Sequence, residues 1–95
     1  RSQDLVIRLN LADLLLSEER YEEARLQYET LLEMAPENPA IRNKHAIALF
    51  KLGENEKAIS EFRRVLEIDP TFKDAAENLK VAIGKAKEEP PPMEK

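Results

Sequence analysis

The sequence predicts an all-α fold, five helices arranged as antiparallel hairpins in a row. Three observations predict it. The chain repeats itself at a spacing of 34 residues, each copy holds two segments with apolar residues at helical spacing, and Pro, Gly or Asn falls between the segments. Laying residues 5–38 over 39–72 gives nine ungapped identities: Ile7/Ile41, Arg8/Arg42, Ala12/Ala46, Leu15/Leu49, Glu22/Glu56, Ala24/Ala58, Leu32/Leu66, Glu33/Glu67 and Pro36/Pro70. Tyr28/Phe62, Leu31/Val65 and Met34/Ile68 are similar pairs. The matches favour apolar, small and proline positions, where packing is strictest. A single hairpin cannot bury its own faces, so copies of this kind stack side by side into a solenoid.

The elements follow in order. Ile7, Leu11 and Leu15 recur at helical spacing and predict a helix over 4–17, with Ser17 ending it. Ala24, Tyr28, Leu31 and Leu32 predict a second over 21–34. Asn38-Pro39 pairs a capping side chain with proline at the first helical position and opens 39–52. Gly53 closes that helix, and Asn55 is expected to cap the next, 55–68. Asp69-Pro70 closes the second hairpin, and Thr71 with Asp74 reads as a capping box opening 72–88. The run Glu88-Glu89-Pro90-Pro91-Pro92 cannot continue a helix, so 89–95 is expected to be a disordered tail. Residues 1–88 then form one domain: repeats 5–38 and 39–72 and a last helix over 73–88. Glu19 stands where Gly53 stands in the other copy, and a left-handed turn there would cost about 1 kcal/mol.

Small residues recur because two helices joined by a short turn approach closely only where facing positions lack bulk. Ala12 and Ala24 serve the first hairpin, Ala46 and Ala58 the second, and Tyr28 and Phe62 fill the space between hairpins. The last helix is expected to bury Leu79, Ala82 and Ile83 and to show Lys73, Glu77, Lys80 and Lys87 to water, as a capping element must. The first helix has no such protection. Leu11 and Leu15 are expected to face their own hairpin partner, whereas Ile7 and Leu14 occupy the places of Ile41 and Ala48, on the side that meets a preceding hairpin. Leu5, Ile7 and Leu14 therefore mark a face expected to pair with a second copy or with upstream repeats. The chain begins with Arg1 rather than Met, which suggests a piece of a longer protein.

These residues resemble the tetratricopeptide repeat. The resemblance rests on Ala46, Ala58 twelve residues later, Phe62, Val65 and Pro70 closing the unit, and it covers 5–72 in full and 73–88 in part. It implies an α-α superhelix whose first helices line a concave groove. It also places the groove on one stripe: Leu9, Asn10, Asp13 and Leu16, then Asn43, Lys44, Ile47, Phe50 and Lys51, then Asn78, Val81 and Lys85, with Val6 at its edge. Apolar side chains flanked by amides and charges suit a peptide or a partner helix. Members that grip a terminal carboxylate do so with Lys, Arg and Asn on this stripe. The matching places hold Leu9, Asp13, Lys44, Asp74 and Asn78, which argues against that role.

Composition excludes much else. There is no Cys and a single His, His45, so no Cys-based zinc or redox centre exists, and metal and cofactor are both expected to be absent. His45 is expected to pack, partly buried. Ser2, Ser17 and Ser60 lack the setting of a nucleophile, and the paired acids read as solvated helix faces, so an enzyme is not expected. Repeat one carries three bases against eight acids and repeat two six against five, which leaves no continuous basic track for nucleic acid. No apolar run approaches the roughly 18 residues of a membrane span. Compartment is not encoded, and the cytoplasm is only the default. The function expected is a non-catalytic protein-binding module. The alternatives are an assembly element acting through its first helix, and an accessory domain of a larger enzyme.

Overall fold

The computed structural model describes residues 2–88, with side chains from Gln3 onward, as five helices in succession. They are α1 (Ser2–Ser17), α2 (Tyr21–Met34), α3 (Pro39–Lys51), α4 (Asn55–Ile68) and α5 (Lys73–Glu88). Each packs against the next in sequence, and α3 also meets α5. The result measures 51 × 28 × 22 Å, the outline of a row of hairpins rather than a sphere. The tail expected over 89–95 lies outside the described residues.

Small side chains set the spacing. Ala12, Ala24, Ala46 and Ala58 are all fully buried. Ala12 and Ala24 share one core with Leu15, Tyr28 and Leu31; Ala46 and Ala58 share a second with Leu49, Phe62 and Val65. Ile41, though it belongs to α3, joins the first core and couples the hairpins. The last helix closes the second core with Ala75 and Ala82, and with Leu79 and Ile83 half-buried. Lys73, Glu77, Lys80 and Lys87 are exposed, as expected.

The turns explain the boundaries. Gly53 sits at φ 84° and Glu19 at φ 64°. Both turns close in the same way. Arg20 N donates to Leu15 O at 2.9 Å and Glu19 N to Leu16 O at 3.0 Å, while Glu54 N donates to Leu49 O and Gly53 N to Phe50 O, each at 3.0 Å. This pair of bonds satisfies helix-end carbonyls and demands a left-handed residue between them. At the start of α3, Asn38 Oδ1 accepts from Ile41 N at 3.1 Å, with Pro39 at the first helical position.

Two local expectations are corrected. Asn55 is not a cap but the first residue of α4; Glu54 holds the capping position without a side-chain bond. Thr71 does not cap α5, because Asp69 Oδ1 accepts from both its N (3.0 Å) and its hydroxyl (2.7 Å). That turn delays α5 to Lys73, and Phe72 O takes the first helical bond, from Ala76 N. Leu11 lines a depression with Met34 of its hairpin partner α2 and is 45% exposed. Its register is that of His45, which lies between α2 and α4, so the position needs an outer helix on both sides. The contrast is sharper at Ile7, 65% exposed, against Ile41, 1% exposed at the same register. Burial of that kind is worth about 1.5–3 kcal/mol.

Candidate binding groove

The stripe along α1, α3 and α5 is semi-buried at its centre and open at its margins. Leu9 and Leu16 pack their inner edges on the first core, and Ile47 and Phe50 pack on the second. Val6 and Val81 stand clear at 52% and 56% exposure. Asn10, Lys51 and Lys85 are exposed, and Asn78 is half-buried. Lys51, Asn78 and Lys85 make no ion pair or side-chain hydrogen bond among the described residues. Asn43 differs from its neighbours: it is buried, and its Oδ1 has no hydrogen-bond partner.

Asp13 ties the stripe together. Its Oδ1 accepts from the Tyr28 hydroxyl at 2.7 Å and its Oδ2 from Lys44 Nζ at 2.9 Å. Burial first, and then this carboxylate, hold the Tyr28 phenol far above its ordinary range, so it remains a donor. The bond from Lys44 joins α3 to α1 and matches the only acid of the α1 stripe to a cation. The middle of the groove is therefore close to neutral.

Behind the groove, the junction of the hairpins holds a polar chain that the sequence reading did not foresee. His45 is not a mere packing residue. It is buried, with Nδ1 at 3.0 Å from Glu61 Oε1 of α4 and Nε2 at 3.2 Å from Glu29 Oε2 of α2. Arg25 donates to Glu29 at 2.6 Å and to Glu22. Arg42 donates to Glu61 at 3.0 Å and to the Pro36 carbonyl at 2.9 Å. Burial raises the Glu61 carboxyl, but His45 and Arg42 outweigh it and hold Glu61 below the usual glutamate range. The hydrogen bond that Arg25 donates to Glu22, ahead of the pairing with Glu29, lifts the Arg25 guanidinium above its ordinary value. The first hairpin holds the counterpart of one link: Arg8 donates to Gln27 at 2.7 Å, the same register as Arg42 with Glu61.

The surface also carries open depressions away from the stripe. One of about 310 Å³ overlies the His45 chain between α2 and α4. Another of about 390 Å³ lies at the free side of α1, lined by Asp4, Ile7, Arg8, Leu11 and Met34. Among the described residues no group of His, Asp or Glu is placed to hold a metal ion, and no helix is long and apolar enough to cross a membrane.

Comparison with known proteins agrees with this architecture. The family model described as "Tetratricopeptide repeat" matches residues 9–71. The TPR repeat-containing thioredoxin TTL4 of Arabidopsis thaliana is 36% identical over 59 residues, 62% of this chain. The chain spans only 9% of that relative's length. Among solved structures, "MamA RS-1 ArsTM double mutant" superposes with a TM-score of 0.83 over 88% of this chain and 47% of its own, at 23% identity. That likeness is one of fold.

Proposed function

Because the chain belongs to the tetratricopeptide repeat family, whose repeats generally mediate protein–protein interaction, we propose that it holds a peptide or a partner helix in its concave groove without catalysing a reaction. The observation that carries this reading is the apolar stripe itself. Val6 and Val81 are exposed at its margins, and Leu9, Leu16, Ile47 and Phe50 form a half-buried floor between them. Surface valines followed by a semi-buried aliphatic and aromatic floor suit an apolar segment flanked by polar groups. Asn78 and Lys85 are free to orient that segment. Lys44 is already committed to Asp13, which supports a near-neutral ligand over an acidic terminus.

The test is selection of linear peptides from a display library against the whole chain, followed by titration of the best binder. Val6→Asp with Val81→Asp changes two exposed side chains and leaves both cores intact. The expected result is at least about a tenfold loss of affinity, or ~1.4 kcal/mol, with unchanged helical circular dichroism. Binding that survives the double variant contradicts the reading.

A further inference from the structure

We propose that the groove selects a segment with an Asp or Glu side chain at one end of its apolar stretch, and that Lys51 and Lys85 hold that carboxylate between them. The proposal rests on the groove reading above and narrows the class of ligand. The two lysines stand one repeat apart, so they take the same register on α3 and α5. Those two helices touch. Packed helices run about 8–10 Å apart, a gap that two lysine side chains can close on one shared carboxylate. Both lysines are exposed, and neither has an ion pair or a side-chain hydrogen bond among the described residues.

The rest of the chain leaves their charge uncompensated. Lys44, the other cation of the α3 stripe, is matched to Asp13 at 2.9 Å. Acids in the turns that follow the first helices already have partners: Glu18 pairs with Arg20 at 3.9 Å and Glu54 with Lys57 at 3.2 Å. Glu88, one turn on from Lys85, makes no ion pair with it among the described residues. Lys51 and Lys85 lie in the last turns of their helices, but the roughly half charge of a helix C-terminus offsets only part of a whole cation. Two like charges at one height repel, and a carboxylate laid between them turns that repulsion into attraction.

The other end of the groove has the opposite sign. Asp74 and Glu77 stand on the α5 stripe, exposed and without an ion pair among the described residues. Asp74 precedes Lys85 by three turns, roughly 16 Å along the helix. The apolar side chains of Ile47, Phe50 and Val81 fall between these charged ends. A carboxylate is therefore drawn to one end and repelled at the other, so charge sets the direction of the ligand while its apolar part supplies the contact. The acid is a side chain rather than a chain terminus, because Asp13 and Asp74 hold places from which a terminus would be gripped. One carboxylate at the edge leaves the segment neutral where it crosses the centre.

The experiment is selection of C-terminally amidated peptides against the whole chain, so that no terminal carboxylate can stand in for a side chain. The expected ligands carry Asp or Glu at one end of an apolar stretch, and their affinity falls as salt rises. Lys51→Glu with Lys85→Glu should weaken the best of them at least about tenfold while circular dichroism stays helical. The same variant should bind a peptide whose acid is replaced by Lys more tightly than the unaltered chain does. Lys73→Glu with Lys87→Glu, elsewhere on α5, should change affinity little, which separates a local contact from the overall charge. Ligands without an acid, or an affinity that the Lys51 and Lys85 variant leaves intact, overturn this inference and leave the groove reading standing. A chain that selects no peptide overturns both.

Discussion

Glu19 and Glu61 show how single residues depart from the repeat in opposite ways. Glu19 occupies a left-handed turn at φ 64° that its counterpart Gly53 enters at φ 84° without steric cost. Glu19→Gly is expected to stabilise the chain by about 1 kcal/mol, and Gly53→Ala to destabilise it by about as much, in urea denaturation. Glu61 is an addition rather than a compromise. Its carboxyl titrates below the usual value of 4.5 in the folded chain, so it adds stability above that pH and loses it as the pH falls through the lowered folded value. Glu61→Gln should cost about 1–3 kcal/mol near neutrality, where a charged acceptor between His45 and Arg42 is lost. The gap between the two proteins should narrow on acidification below the ordinary glutamate range. A constant gap down to the acid limb would contradict the assignment.

The helices were legible where the determinants are local or repeated. Pro39 after Asn38, Gly53, and the alanine register Ala12/Ala46 and Ala24/Ala58 each constrain one place in the chain, and the helix bounds follow to within two residues. What escaped the sequence depends on which helix arrives from outside the hairpin. Leu11 has the spacing of a core residue but lacks an outer helix on its far side. His45 takes one of its two carboxylate partners from the preceding hairpin, and only the stacked fold brings Glu29 to it. Along the groove, the stripe followed from the family resemblance, yet the Asp13–Lys44 pair and the burial of Asn43 did not. Those depend on the distance between α1 and α3. Close approach of helices makes its own prediction. Ala58 is fully buried against the second core, so Ala58→Leu should overpack the α3–α4 contact and cost about 1–3 kcal/mol. Ser60→Leu, on the exposed side of the same helix, is the control and should change stability little.

As a whole the molecule is a short row with unlike ends and sides. At one end α5 packs on α4 and shows a lysine-rich surface, and at the other the aliphatic side chains of α1 are exposed among the described residues. The outer face runs through the charged chain from Arg25 to Arg42, while the inner stripe is apolar and nearly neutral at its centre. That division of polarity is the ground for proposing an apolar segment as the groove's ligand. The most direct test of the groove is a methyl-resolved NMR titration of the chain with the selected peptide. The proposed site predicts that the shifts fall on Val6, Leu9, Leu16, Ile47 and Val81, across α1, α3 and α5 together. Shifts confined to α2 and α4, or to Ile7, Leu11 and Leu14 at the free end, would contradict it.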